Sequence, residues 1–240
     1  MCKTTISALF IALYFSACEA MTSVPFKCQL GDKTCLDNIV NSTKPLIFGK
    51  IPEIGVESSD PLFIPEIVGD ISGFKYKLYN STWTGYSKCV FSNMTINDDI
   101  TKIEYDMDCP SLILSGMYEM SGEVLSLAVE GNGDYQMIAG HHIHFESDLV
   151  TSKDAIGETH IAIENFKLKL LPLVPLHFDF KNMYNGQQKL SDGFHKFFHD
   201  NWRLIDELFG SPVWYACIGR VVNNLNKYFQ SVSLENFIHL

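Results

Sequence analysis

Residues 191–232 read SDGFHKFFHDNWRLIDELFGSPVWYACIGRVVNNLNKYFQSV. Apolar side chains recur at Phe194, Phe197, Phe198, Ile205, Leu208 and Phe209, and again at Trp214, Ile218, Val221, Val222, Leu225, Phe229 and Val232. Steps of three and four gather them on one side of an α-helix. Ser191 or Asp192 supplies a capping oxygen at the start, and Gly210-Ser211-Pro212 punctuates the middle. The stretch therefore predicts two helical segments, the second roughly 20 residues long. Val213, Tyr215, Ala216 and Cys217 widen its apolar stripe beyond one narrow face. A helix apolar over most of its girth has to be enclosed by other structure. A helical bundle would satisfy the same pattern, so the preceding residues decide between bundle and sheet.

Those residues change period. Phe74, Tyr76 and Leu78 alternate with Lys75, Lys77 and Tyr79; Ile103, Tyr105, Met107 and Cys109 alternate with Glu104, Asp106 and Asp108. Alternation of this kind marks half-buried strands. Asn97-Asp98-Asp99 signals a turn, Pro110 a break, Ser121-Gly122 a turn and Asn132-Gly133 a hairpin. Tyr135 to Phe145 and His160 to Leu171 are the longest alternating runs, and Leu176 to Phe180 the last. The count is about eight strands joined by short turns, hence an antiparallel meander. Upstream, Cys35 to Phe48 suggests a short amphipathic helix ended or kinked near Pro45, and Pro52, Pro61 and Pro65 mark an ordered, extended connector. The expected fold is α+β: a highly curved antiparallel sheet rolled round the long C-terminal helix in one elongated domain. Where the side chains between them do not fill the space, an apolar tunnel results, suited to a long greasy ligand.

The chain is 240 residues long, 46% hydrophobic and 12% aromatic, with a net charge of −10. An acidic chain without a basic stripe is a poor match for nucleic acid. Lys3, the apolar run Ile6 to Phe15 and the small residues of Cys18-Glu19-Ala20 predict a secretory signal peptide over residues 1–20, leaving a mature domain over 21–240. No later run is long and apolar enough for an integral membrane segment, so the mature protein is expected to be secreted and soluble. Asn41, Asn80 and Asn93 open glycosylation sequons. Of the cysteines beyond the leader, Cys28 and Cys35 enclose a short loop that a disulfide closes in an oxidising compartment. Cys89 and Cys109 could face each other across a hairpin centred near Asp99, and Cys217 on the long helix is expected as a buried free thiol.

The ordered motifs resemble the insect takeout / haemolymph juvenile hormone-binding protein family. Cys28 and Cys35 follow the leader directly. Gly55 to Leu62, continued by Ile64-Pro65-Glu66-Ile67, is similar to a "GIP..DPL" stretch; Gly85-Tyr86-Ser87-Lys88 is similar to a "GLS" element; and Leu190 to Arg203 is similar to an "LGD…NENW" signature ahead of the long helix. The resemblance implies a single TULIP-type domain, a long helix wrapped by a curved sheet, carrying juvenile hormone or another long-chain lipid in a haemolymph-like fluid. The chain departs from lepidopteran hormone carriers, which join a late strand to the long helix by a second disulfide. Cys217 matches the helix partner, but residues 160–180 contain no cysteine.

Chemistry-bearing motifs are sparse. In Gly140-His141-His142-Ile143-His144, His142 and His144 share one strand face with Glu146, and His141 faces away. Zinc requires three or four convergent ligands, so solvent-facing strand histidines are the expectation, with no metal and no cofactor. No G-x-S-x-G elbow, H-E-x-x-H pair or phosphate loop is present, and no catalytic residues are assigned. A carrier needs only apolar area and one or two donors for a polar end. The expected lining is Trp83, Tyr105, Tyr118, Tyr135, Phe145, Trp202, Trp214 and Phe229, with Tyr105, Tyr118 and Tyr135 as polar-end donors. The expected function is a monomeric, secreted carrier of a small hydrophobic ligand. The alternatives are a takeout-like signalling protein with a different lipid, or a secreted hydrolase.

Overall fold

The computed structural model describes residues 26–239; the signal peptide expected over residues 1–20 lies outside them. Strand β1 (Cys28–Gln29) pairs in parallel with β9 (Ile238–His239), tying the two ends of the described chain together. Helix α1 (Lys33–Ile47) follows, its start capped by the Asp32 carboxylate, which accepts the Cys35 N–H at 3.0 Å. Pro45 falls in its last turn. Disulfides join Cys28 to Cys35 and Cys89 to Cys109, and Cys217 is a buried free thiol.

The body is a seven-stranded antiparallel sheet. Strands β2 (Leu62–Ile71), β3 (Phe74–Thr84), β5 (Lys102–Val124), β6 (Leu127–Lys153) and β7 (Thr159–Pro172) lie side by side in the order β2-β3-β5-β6-β7. Strand β4 (Val90–Ile96) shares the outer side of β5 with β3, and β8 (His177–Phe180) shares the outer side of β6 with β7. The β5–β6 hairpin is thus the spine, flanked by one pair of strands at each end.

Several expected breaks are strand interior. Pro110 sits where β5 shifts register between Cys109 and Leu112, a bulge that tolerates a residue without an N–H. Ser121-Gly122 and Asn132-Gly133 are not turns; β5 and β6 run through both, and the hairpin turns at Leu125-Ser126, both at positive φ. Their glycines are there for close approach: a Cβ on Gly122 would strike the Gly73 carbonyl, and one on Gly133 would lie 2.7 Å from the Lys181 carbonyl oxygen. What reads as about eight strands from Phe74 onward is therefore six strands of this sheet, two of them more than 20 residues long, and the proline-marked connector contributes the seventh, β2.

The chain from Gln188 to Ser231 is helical: α2 (Gln188–Asp200), the short α3 (Trp202–Ile205), a π turn at Asp206–Gly210, and α4 (Ser211–Ser231). Helix α2 starts ahead of Ser191, and neither Ser191 nor Asp192 caps it. Gly210-Ser211-Pro212 does not end the helix either. Gly210 keeps helical φ/ψ and Pro212 occupies the first turn of α4, where a missing N–H is harmless.

Helix α4 packs against β7 and β2, the two outer strands of the sheet, so the sheet curls about it without closing into a barrel. The seam with β7 is built from side chains. The Asn226 amide accepts the Ile163 N–H at 2.8 Å and donates to its carbonyl at 2.9 Å. The Tyr215 hydroxyl accepts the Leu168 N–H at 2.6 Å and donates to its carbonyl at 3.2 Å. Each stands in for a neighbouring strand and satisfies edge groups that would otherwise invite pairing. Rings continue the wrapping inward, with Phe91, Tyr105, Phe145, Phe166 and Tyr215 in succession from β4 across the sheet onto α4, at centroid spacings of 4.6–5.7 Å.

Candidate ligand-binding interior

The inward rows of β5 and β6 face α4. On β5 they are Tyr105, Met107, Leu112, Leu114 and Tyr118; on β6, Tyr135, Met137, Ala139, His141, Ile143 and Phe145; all are buried. Trp214, Cys217, Ile218, Val221, Leu225 and Tyr228 present the buried face of α4. Phe178, Phe180, Phe194, Phe198 and Phe209 crowd one end of the interior as a ring cluster. Side chains from sheet and helix meet across this space. Met107, Met120 and Met137, among the most adaptable core side chains, lie along it.

Of the aromatics predicted from sequence, Trp83, Tyr105, Tyr118, Tyr135, Phe145 and Trp214 are buried. Trp202 and Phe229 are only half-buried; Trp202 lies under the Arg203 guanidinium, 4.7 Å from the ring centre. The inward residue at that end of α4 is Tyr228, one position before Phe229. Two of the three tyrosines expected to offer donors already have partners. Tyr118 donates to the Lys181 carbonyl at 2.6 Å and Tyr135 shares a hydrogen bond with Ser81 at 2.7 Å, while the Tyr105 ring stacks on Phe145 at 4.6 Å.

Three other buried polar atoms have no hydrogen-bond partner among the described residues: Trp83 Nε1, His141 Nδ1 and the Tyr228 hydroxyl. Each such atom costs about 1–3 kcal/mol. Burial pushes the Tyr228 phenol up to about 12, so it remains a donor at neutral pH. Tyr228 is readable in sequence as a member of the Val221, Leu225, Tyr228, Val232 stripe. His141 is readable by parity with Tyr135 and Phe145. What sequence hides is the partner of His141: its Nε2 lies 2.9 Å from Asp206 Oδ2, both side chains inside the fold.

The outer face behaves as expected. His142 and His144 are partly exposed and hydrogen-bond Asp108 at 2.7 Å and Asp106 at 2.8 Å, respectively. Two surface clefts, of about 530 and 350 Å³, lie beside Lys75, Lys77, Glu119 and Glu130 and along Arg220, Asn223 and Lys227 of α4; none of the predicted aromatics lines either. Asp154, Glu158 and His160 converge at the β6–β7 turn on the protein surface.

The model of the haemolymph juvenile hormone binding protein family matches residues 8–239. The chain belongs to that family. Takeout 1 of Epiphyas postvittana superposes with a TM-score of 0.84 at 26% identity, over 89% of this chain and 99% of its own. The circadian clock-controlled protein daywake of Drosophila melanogaster is 25% identical over 209 residues, 82% of this chain and 80% of its own. Family and fold are thus those of proteins that bind small hydrophobic ligands. The motifs that carry the resemblance serve the scaffold. Asp60 accepts the Gly85 N–H at 3.1 Å and the Ser87 N–H at 2.8 Å, stapling one motif to another. Among the described residues no helix is long and apolar enough to cross a membrane.

Proposed function

We propose that this protein is a secreted, monomeric carrier that holds one small hydrophobic ligand, a juvenile hormone-like sesquiterpenoid or a long-chain lipid, between the inner sheet face and α4. The observation that carries this reading is the combination of a continuous apolar interior with the unpartnered Trp83, His141 and Tyr228 atoms inside it. Apolar burial at about 25 cal/mol per Å² supplies affinity, and a buried donor fixes a polar end. Trp83, Tyr105, Tyr118, Tyr135, Phe145 and Trp214 form the wall, with Trp202 and Phe229 at its margin. The two disulfides suit an extracellular setting.

Of the three sequons, Asn80 and Asn93 are exposed, and Asn80, whose amide is engaged by no hydrogen bond among the described residues, takes the glycan. The Asn41 amide is engaged with Asp37 and Phe91, joining α1 to β4, and Asn93 bonds Asp106. Native mass spectrometry of protein secreted from eukaryotic cells, followed by lipid extraction, tests the carrier reading. The expected result is a one-to-one apolar adduct, or uptake of one equivalent of added long-chain ester. A protein that is empty and takes up neither terpenoid nor acyl compounds overturns it.

A further inference from the structure

We propose that Asp154, Glu158 and His160 form a site for one divalent metal ion of the zinc class, which clasps the β6–β7 turn to the C-terminal end of α4. Among the described residues they are the one group of three His, Cys, Asp or Glu side chains whose donor atoms all lie within 4.8 Å of one another. Two carboxylates and an imidazole, open to water, are a donor set that zinc accepts.

The imidazole separates this group from an ordinary acidic turn. His160 Nδ1 lies 3.1 Å from the carbonyl oxygen of Phe229. A carbonyl only accepts, so Nδ1 carries the hydrogen. That carbonyl belongs to the last turn of α4, where the helix supplies no N–H for it. The bond fixes the ring and leaves Nε2 as the ligating nitrogen; metal-binding histidines almost always anchor their other nitrogen in this way. Nε2 is 3.8 Å from Asp154 Oδ2. That is too long for a hydrogen bond and is about the separation of two donors that each bind one ion at about 2.0–2.2 Å. The outer-face histidines differ, for His142 and His144 close on Asp108 and Asp106 at 2.7 and 2.8 Å through Nδ1.

The turn aims the first carboxylate. Asp154 Oδ1 is occupied, accepting the Ile156 N–H at 3.0 Å and the Glu158 N–H at 2.9 Å. Oδ2 is therefore the available oxygen, and it is the one that faces His160. Glu158 is brought alongside by the Asp154 N–H, which donates to its carbonyl at 3.0 Å. Both acids are exposed and His160 is half-buried, so an ion from solvent reaches all three. His160 already holds the end of α4. An ion on its Nε2 ties the turn to the helix as well, and extends the seam that Tyr215 and Asn226 make further along β7.

The test uses the full mature chain, stripped with EDTA, and zinc chloride, followed by titration calorimetry and thermal melting. The wild type is expected to take up one equivalent with a micromolar or tighter Kd. Its Tm should rise by at least about 5 °C at a hundredfold excess of zinc over Kd. Calcium and magnesium, which prefer all-oxygen sites, should do neither. Glu158→Gln changes only an exposed side chain and is expected to weaken zinc at least about tenfold. His160→Gln keeps a donor for the Phe229 carbonyl and should weaken it as much. His142→Ala with His144→Ala removes the outer-face imidazoles and should leave zinc binding unchanged. No uptake by the wild type, or calcium bound as tightly as zinc, overturns the inference. Uptake indifferent to E158Q and H160Q, or lost with His142 and His144, marks an adventitious ion only and overturns it too. All of these outcomes leave the carrier reading where it stands.

Discussion

The two faces of one short run, His141 to His144, carry the same pair of residue types to opposite effect. On the inner face, His141 and Asp206 are 1% and 7% exposed at their side chains. On the outer face, one residue away, His142 pairs with Asp108 at 32% and 57%, and His144 with Asp106 at 42% and 17%. Water screens the outer pairs, which contribute little. The inner pair has given up its hydration and is held by geometry alone, so removing one member strands the other. Strand parity thus separates a solvated ladder from a buried pair, although the sequence spells both with histidine.

That contrast breaks most sharply at Asp206. Asp206→Ala leaves His141 and Trp214 without their acceptor, and a loss of about 3–5 kcal/mol in unfolding free energy is expected by denaturant titration. The Cys89–Cys109 disulfide closes a separation of 20 residues and fixes Cys109 directly across from His141 in the β5–β6 register. Replacing both cysteines by serine is expected to cost about 3 kcal/mol in the same assay. Gly210→Ala overfills the Asp206 turn, at a cost of about 1–3 kcal/mol by the same titration. His142→Ala with His144→Ala should cost less than about 1 kcal/mol and leave ligand binding unchanged.

The smallest effect is one of pH. Burial pulls the Asp106 carboxyl up, but the Asn93 amide and the His144 ring outweigh it and hold the group below its ordinary range. A depressed carboxylate stabilises the fold above its unfolded pKa and loses that contribution as pH falls through the folded one. Asp106→Asn should therefore lower Tm slightly at pH 7, with the gap closing below about pH 4. Melting curves across that range report it.

Much of this architecture is legible before coordinates. The shift from period two to period 3.6 near Gln188 separates sheet from helix, and the breadth of the Val213–Cys217 stripe marks α4 as the sheet's partner, although Arg220, Asn223 and Lys227 leave its outer side exposed. Glycine was the recurrent source of error, because one residue type serves turns and close contacts alike. Gly122 and Gly133 lie where another backbone presses on the strand, and Gly210 lies where a carboxylate needs room. The polar interior is harder to read. Alternation puts His141 inside with Phe145, but its partner lies 65 residues away, on a turn whose π geometry has no sequence signature. The tyrosine hydroxyls misled for the converse reason: Ser81 and the Lys181 carbonyl reach Tyr135 and Tyr118 only through tertiary packing.

The central claim is that ligand sits inside, between sheet and α4, and not in the polar surface clefts. Photo-crosslinking with a diazirine-bearing long-chain methyl ester, followed by peptide mapping, tests it most directly. Adducts are expected on the inward rows of β5, β6 and α4, around Met107, Met137, His141 and Cys217. Adducts confined to Lys75–Tyr79, Glu119 and Asn132, or to Arg220 and Lys227 on the outer side of α4, would contradict it.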